Sequence, residues 1–113
     1  MSAWRYFGLA AQVARLRDDE RIHQLGAVGV RADGVIVAAP NGPARHKLPE
    51  AHAEARLSRK LDAGAEVYVA RATASGYGMA RPCRACQVRL RSKGVKRAYY
   101  TVSSDEYGVL ELR

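Results

Sequence analysis

The stretch "EVYVARATASGYGMARPCRACQVRLRSKGVKRAYYTV", residues 66–102, contains the alternation of elements that decides the fold. Its two ends, 66–74 and 96–102, are rich in β-branched and aromatic residues and predict strands. Between them, a helix is predicted to begin near Pro82, because proline suits the first helical position, and to stop before Gly94. Two strands joined by a helix form a right-handed parallel crossover.

The strand predicted from Tyr107 onward pairs differently from the crossover strands. Only residues 103–106 separate it from the strand before it, and a parallel return needs a dozen or more connecting residues. The last two strands are therefore predicted to be antiparallel. Before the crossover, strands at 25–30 and 35–39 flank Asp33-Gly34, a dipeptide typical of hairpin turns.

Helical periodicity predicts a helix from Ala3 to Arg17. A second helix is predicted from Pro49 or Glu50 to about Ala63, with Gly64 as its left-handed stop. The stretches 40–49 and 75–81 are predicted loops. Together these elements predict an α/β fold with a mixed sheet of about five strands and helices on its faces.

Length and composition predict one soluble domain spanning residues 1–113. The chain is 48% hydrophobic and 27% charged, as ordinary globular proteins are. No apolar run reaches about 18 residues, so no membrane span is expected. The N-terminal sequence lacks the pattern of a signal peptide, and two cysteines three residues apart do not suggest a disulfide framework. We therefore expect a cytoplasmic protein.

The net charge of +8 suggests an anionic partner. No acidic residue occurs from Gly76 to Ser104. The same interval contains the cations Arg81, Arg84, Arg89, Arg91, Lys93, Lys96 and Arg97. This basic stretch, 81–97, could bind single-stranded nucleic acid, with Tyr77, Tyr99 and Tyr100 available for base stacking. It could equally face solvent or another subunit.

Two short motifs contain the residues suited to metal chemistry. "PEAHAEARL", residues 49–57, contains His52 and Glu54, and "ARPCRACQV", residues 80–88, contains Cys83 and Cys86. Each motif falls in the predicted first turn of a helix that follows a loop. Catalytic zinc sites typically use three protein ligands and leave one position to water. One histidine and two cysteines supply such a set, and Glu54 is then free to move a proton.

"HAE" at 52–54 and "PCRAC" at 82–86 resemble the signature of the cytidine and deoxycytidylate deaminase superfamily. The resemblance implies a three-layer α/β/α fold and assembly into homodimers or homotetramers. It implies that His52, Cys83 and Cys86 bind Zn²⁺ and that Glu54 is the proton shuttle. Zinc-bound hydroxide would attack the ring carbon that carries the exocyclic amine, and ammonia would leave.

The resemblance also implies a base pocket lined by backbone near Ala53, Arg81 and Pro82. Asn41 stands where related chains carry an asparagine that contacts the sugar or base. The pair Asn41-Gly42 is equally typical of a turn. His46 and Lys47 lie in the loop that leads to the "HAE" motif and could reach the mouth of the site.

The substrate stays open at this point. His52 is similar to the ligand of deoxycytidylate and tRNA adenosine deaminases, whereas the short final link resembles nucleoside deaminases or bacterial toxin-type deaminases. The expected function is conversion of a cytosine-type base to uracil in a free (deoxy)cytidine nucleoside or nucleotide. One alternative is the same chemistry on single-stranded DNA or RNA. Another is a non-catalytic zinc-stabilised binding domain, with His46 as a fourth ligand.

Overall fold

The computed structural model describes residues 3–15, 24–40, 57–73 and 75–112. Its elements are α1 (Ala3–Arg15), β1 (Gln24–Val30), β2 (Ile36–Pro40), β3 (Glu66–Thr73), β4 (Gly76–Gly78), α2 (Arg84–Ser92), β5 (Arg97–Thr101) and β6 (Tyr107–Glu111). Half of the helix predicted over 50–63, residues 50–56, lies outside these ranges. In the described half only Leu57 and Ser58 are helical, and residues 59–63 form turns and irregular backbone, so the predicted helix end near Ala63 is wrong. Within the described ranges, no helix is both long and apolar enough to cross a membrane.

The strands form one mixed sheet in the order β2-β1-β3-β5-β6, and β4 pairs with the end of β3. Strands β3 and β5 are parallel, with Val67 opposite Ala98, so the predicted parallel crossover is confirmed. Strands β5 and β6 are antiparallel, with Thr101 opposite Tyr107. The prediction from their short connection is therefore also confirmed.

The β1–β2 hairpin forms where the sequence predicts it. Val30 pairs with Ile36, and the intervening turn places Gly34 at a φ of 89°, a left-handed conformation that suits glycine. The Asp33 carboxylate accepts a hydrogen bond from the Val35 amide at 3.0 Å. Aspartate and glycine thus each perform the turn function for which their residue types are favoured.

Three layers result from the alternation of side chains along each strand. On one face, Phe7 of α1 packs against Tyr68 of β3. The opposite face is covered by Leu90 of α2 and by Leu57 and Leu61, from the region of the predicted 50–63 helix. The buried strand residues on this second face include Ala27, Val67, Val69, Ala98 and Tyr100. The predicted three-layer α/β class is confirmed.

Helix α1 lies directly on β1 because β1 has a glycine at the contact. A Cβ atom added to Gly26 would collide with the Ala10 carbonyl oxygen and lie 2.9 Å from the Ala14 amide nitrogen. Any side chain at Gly26 would therefore force the helix away from the sheet. This contact fixes one outer layer without involving the face that carries α2.

The predicted loop at 75–81 contains the short strand β4, which the sequence analysis missed. β4 pairs antiparallel with β3 through Arg71 opposite Gly78 and Thr73 opposite Gly76. Three residues of sequence Gly-Tyr-Gly are too few to show strand periodicity, and glycine is depleted in strands. The pairing is a tertiary effect of the longer neighbouring strand.

Candidate active site

The two cysteines lie at the start of α2, but two positions earlier on the helix than predicted. Pro82 was expected at the first helical position, whereas the helix begins at Arg84 and Cys83 is its N-cap. The Cys83 backbone is extended, with φ −66° and ψ 165°, and its sulfur accepts a hydrogen bond from the Cys86 amide at 3.5 Å. Because Cys83 satisfies an amide of the first turn, it takes the role usually filled by serine or aspartate.

The two thiols differ in exposure. Cys83 is exposed, whereas Cys86 is fully buried on the face of the sheet that α2 covers, and neither forms a disulfide. Cys83 therefore lies at the surface, while Cys86 is held by packing. A ligand pair of this kind can hold an ion at the edge of a core and leave one side of it open.

The segment that leads into Cys83 is anchored by three hydrogen bonds to β3 and β5. The Thr101 side chain has no solvent exposure, and its hydroxyl donates to the Gly78 carbonyl at 2.7 Å. The Thr101 carbonyl accepts from the Ala80 amide at 2.9 Å. The Arg71 Nε atom donates to the Met79 carbonyl at 2.7 Å. The backbone from 78 to 80 is thereby fixed to β3 and β5.

Sequence reasoning did not identify Thr101 and Arg71 as positioning residues for this segment. A threonine in a strand is an ordinary β-former, and an arginine in a strand is an ordinary solvent-facing residue. Their partners depend on the path of β4 and the residues that follow it. No local pattern in the sequence could have indicated them.

Pro82 and Arg81 lie beside the cysteines as the pocket prediction requires. Pro82 is fully buried, and its carbonyl accepts from the Gln87 side-chain amide at 2.8 Å. The Arg81 side chain is exposed, with its Nη1 atom 3.5 Å from the Tyr100 hydroxyl and its guanidinium carbon 5.8 Å from the centre of the Tyr100 ring. Tyr100 therefore holds a cation near the start of α2. The substrate contacts of both residues remain predictions.

The other half of the predicted site lies outside the described residues. This applies to His52, Glu54, Asn41, Ala53 and His46. Within the described ranges, no group of three or more His, Cys, Asp or Glu side chains is placed to hold a metal ion. The structure therefore positions the cysteine pair, and the His52 and Glu54 roles remain predictions.

The described end of the predicted 50–63 region contacts the end of α2. The Gly64 amide donates to the Gly94 carbonyl at 2.8 Å, and a Cβ atom at Gly94 would lie 2.9 Å from the Ala63 Cβ. Both glycines have positive φ, 89° for Gly64 and 80° for Gly94. The chain then enters the adjacent parallel strands β3 and β5. The segments that follow the two motifs are therefore neighbours.

The donor chemistry of the described pair fits zinc. Two thiol groups within one turn are soft sulfur ligands, which zinc accepts at tetrahedral sites. Magnesium and calcium instead require oxygen ligands. The cysteine pair thus agrees with a zinc ion and does not suit an alkaline-earth ion.

The fold and these residues together define a class: a three-layer α/β domain with a cysteine pair at the start of the crossover helix. The chain belongs to the cytidine and deoxycytidylate deaminase family, because the model of that family's zinc-binding region matches residues 2–102. Zinc is therefore expected for this chain, and the resemblance stated from "HAE" and "PCRAC" is confirmed.

A solved structure agrees on the fold. The 1.6 Å crystal structure of cytidine deaminase from Burkholderia pseudomallei is similar, with a TM-score of 0.68 and 18% sequence identity. The match covers 99% of this chain and 94% of that one. No match was found among curated proteins.

Proposed function

We propose that this chain is a zinc-dependent hydrolytic deaminase that converts a cytosine-type base to uracil in a free (deoxy)cytidine nucleoside or nucleotide. The observation that carries the proposal is the Cys83–Cys86 pair at the start of α2, in a chain that the family model matches over residues 2–102. The proposed zinc ligands are His52, Cys83 and Cys86. The whole chain acts as one catalytic domain.

Zinc, when bound, lowers the pKa of a coordinated water and so supplies a nucleophile near neutral pH. The Glu54 carboxylate takes the proton of the attacking water and delivers it to the amino group that leaves as ammonia. Pro82 and the backbone of Ala53 and Arg81 line the base pocket, and Asn41 contacts the sugar or base. The Arg81 guanidinium is available to a substrate phosphate.

Two features of the structure support this assignment. The anchored backbone at 78–80 holds the approach to Cys83, so the pocket side of the site is preorganised. The Gly64–Gly94 contact joins the segment after the "HAE" motif to the end of α2. A shared metal ion requires the two motifs to lie close together, and the contact between the segments that follow them supports that arrangement.

The first test is ammonia release by zinc-loaded protein from cytidine, deoxycytidine and their monophosphates. Glu54→Gln should retain zinc and melting temperature, yet lose activity by roughly 10²–10⁴-fold, the usual contribution of a positioned proton-transfer group. Glu50→Gln, four residues earlier in the same predicted helix, is the matched control and should retain activity. An unchanged rate in Glu54→Gln would reject the enzyme mechanism.

The metal ligands can be tested separately from turnover. Without metal, a thiol reagent should modify the exposed Cys83 quickly and the buried Cys86 slowly. Zinc should protect both thiols, and His52→Ala should remove that protection. Rapid labelling of Cys83 in zinc-loaded protein would show that the cysteines are not the ligands.

The same chemistry on single-stranded DNA or RNA is a second candidate, favoured by the exposed cations of α2. It would be established if zinc-loaded protein is inert on all free nucleosides and nucleotides but converts cytosine in a single strand. A non-catalytic binding domain would convert neither, and chelation would unfold it.

Self-association into a dimer or tetramer is also part of the proposal. Among the described strands, β2 and β6 end the sheet, and they carry the exposed apolar residues Ile36, Tyr107 and Val109. Strand edges and exposed apolar side chains favour contact with a second copy. Light scattering coupled to gel filtration measures the assembly state.

A further inference from the structure

The outer face of α2 is a continuous exposed stripe that the proposed chemistry does not use. We define this basic face by Arg84, Val88 and Arg91, which are exposed and spaced at positions i, i+4 and i+7. Cys86 and Leu90 lie on the opposite, buried side of the same helix. Helical geometry therefore places the three exposed side chains in one row.

The cations of this face are not used in the ion pairs found among the described residues. Those pairs join Arg31 to Asp33 and Asp62, and Arg97 to Glu66 and Glu111. No acidic residue occurs anywhere from 76 to 104. The basic face thus presents positive charge with no carboxylate on its own or the flanking segments.

Arg84 occupies a position on α2 that is electrostatically unfavourable for a positive charge. It is the first residue of α2, and the first turn contains no acidic residue. A cation near the positive end of the helix dipole is unfavourable, whereas Arg91, in the last turn, is favourably placed. Helix stability therefore accounts for the charge of Arg91 but not for that of Arg84.

We propose that the basic face of α2 binds the phosphates of single-stranded nucleic acid. The guanidinium groups of Arg84 and Arg91 each present a planar pair of donors that matches a phosphate. They are separated by about 10 Å along the axis, at 1.5 Å per residue. That separation lets the two guanidinium groups contact different phosphates of one strand. Val88, between them, contacts sugar or base.

The position of this face links it to the candidate active site. Arg84 follows Cys83 directly, so a strand bound along α2 has one end beside the cysteine pair. In this respect alone the inference rests on the proposed deaminase function. Binding itself depends only on the exposed arginines, and it can be measured on a strand that contains no cytosine.

The composition of the face favours nucleic acid over an anionic membrane. Helices that lie in a membrane interface bury large apolar side chains such as tryptophan, phenylalanine or leucine on one side. The exposed side of α2 offers only Val88 and Ala85 as apolar residues, and Leu90 is buried in the core. A phosphate backbone, in contrast, needs only the row of guanidinium groups.

The test uses a fluorescent oligothymidylate of about twelve nucleotides, long enough to cover a single-strand site and free of any deaminable base. Full-length protein is titrated by fluorescence anisotropy between about 50 and 200 mM salt. We expect Arg84→Gln/Arg91→Gln to weaken binding by roughly tenfold or more at low salt and to reduce the salt slope by about 1.4.

Arg5→Gln/Arg59→Gln removes the same charge from exposed positions outside α2 and is the matched control. It should change the dissociation constant less than about twofold. Arg84→Gln alone should weaken binding without lowering the melting temperature, because it relieves the unfavourable dipole contact.

Three results would overturn the proposal. These are unchanged binding by the α2 double variant, an equal loss in the control, or equally tight binding of wild-type protein to phosphatidylserine vesicles. Failure of this test leaves ammonia release from free nucleosides unaffected. Failure of the deaminase assay likewise leaves oligothymidylate binding intact.

Discussion

Cys83 combines two roles that are usually divided between different residues. Its sulfur caps the first turn of α2 through the Cys86 amide, and the residue lies exposed at the surface. The capping hydrogen bond fixes the backbone where the chain enters α2, and the burial of Cys86 fixes the position of the second sulfur. A pair of thiols held in this way needs little reorganisation to bind an ion, which is the condition for a well-defined coordination site.

Thr101 is expected to control the backbone that leads to Cys83. Thr101→Val preserves shape but removes the donor to the Gly78 carbonyl and the acceptor for the Arg71 amide. Because both partners are partly buried, the free energy of unfolding should fall by about 1–3 kcal/mol. Urea unfolding measures this loss, and an increased KM for the nucleoside would accompany it.

Thr73→Val is the matched control for this change. The Thr73 hydroxyl donates to the Gly76 carbonyl at 3.1 Å, within the connection between β3 and β4, and makes no hydrogen bond to the 78–80 segment. It should cost less stability and leave KM unchanged. If Thr101→Val differs from wild type by less than about 0.5 kcal/mol, the anchoring role is wrong.

The close contact between the end of α2 and the end of the predicted 50–63 region limits how these two segments can be positioned relative to each other. Gly94→Ala introduces a Cβ atom 2.9 Å from the Ala63 Cβ, at a φ of 80°. Gly34→Ala introduces one at a φ of 89° with nothing within 4 Å. Both substitutions carry the cost of alanine at a positive φ, which is about 1 kcal/mol or more. Only Gly94→Ala adds the close approach to Ala63, so comparing the two variants isolates the effect of that approach.

We expect Gly94→Ala to destabilise the protein by at least about 1 kcal/mol more than Gly34→Ala does, because packed residues must move apart. It should also weaken zinc binding, measured by competition with a chelator, whereas Gly34→Ala should not. Equal losses of stability in the two variants would mean that the close approach to Ala63 is not a constraint.

Much of the element order could be predicted because it depends on local signals. Asp33-Gly34 specifies the hairpin, and the four residues 103–106 are too short for anything but antiparallel pairing. What could not be predicted depends on distant partners. The strand Gly76–Gly78 exists only beside β3, and the close Gly94–Ala63 packing joins residues from two different segments.

The candidate site divides in the same way. Residue types and spacing predicted the cysteine pair, and the structure places both sulfurs at one helix start. The exact start of α2 was missed because proline is common both at the first helical position and before a cap. Cys83 is the N-cap because its sulfur accepts a hydrogen bond from the Cys86 amide. The preference of proline for the first helical position does not predict this interaction.

At the scale of the whole molecule, the two faces of the sheet differ in composition. All aromatic side chains except Tyr100 lie on the α1 face, where Tyr6, Tyr68 and Tyr99 stack in sequence. The face that carries α2 is instead rich in small buried residues, namely Ala27, Ala39, Ala65, Ala80 and Ala98. The aromatic side chains fill most of the volume of the core between α1 and the sheet. The small side chains on the opposite face allow α2, which carries the cysteine pair, to pack close to the sheet.

The tyrosine stack makes the stability of the protein sensitive to alkaline pH. Burial, followed by the neighbouring Tyr99 and Glu66 charges, raises the pKa of Tyr68 above its ordinary value of 10.0. Burial, and then the hydrogen bond from its hydroxyl to Glu66 at 2.9 Å, also raises the pKa of Tyr99. The folded state therefore holds both tyrosines protonated at a pH where the unfolded chain ionises them.

Stability from this source is complete below pH 10 and is lost as the pH rises above it, since the folded state then binds more protons than the unfolded state. Each such tyrosine contributes a slope of up to about 1.4 kcal/mol per pH unit. Tyr68→Phe should make the decline between about pH 10 and 11 shallower, measured by urea unfolding, and Tyr68→Phe/Tyr99→Phe shallower still. If the free energy of unfolding of the double variant falls as steeply with pH as that of the wild type, other groups cause the loss of stability at alkaline pH.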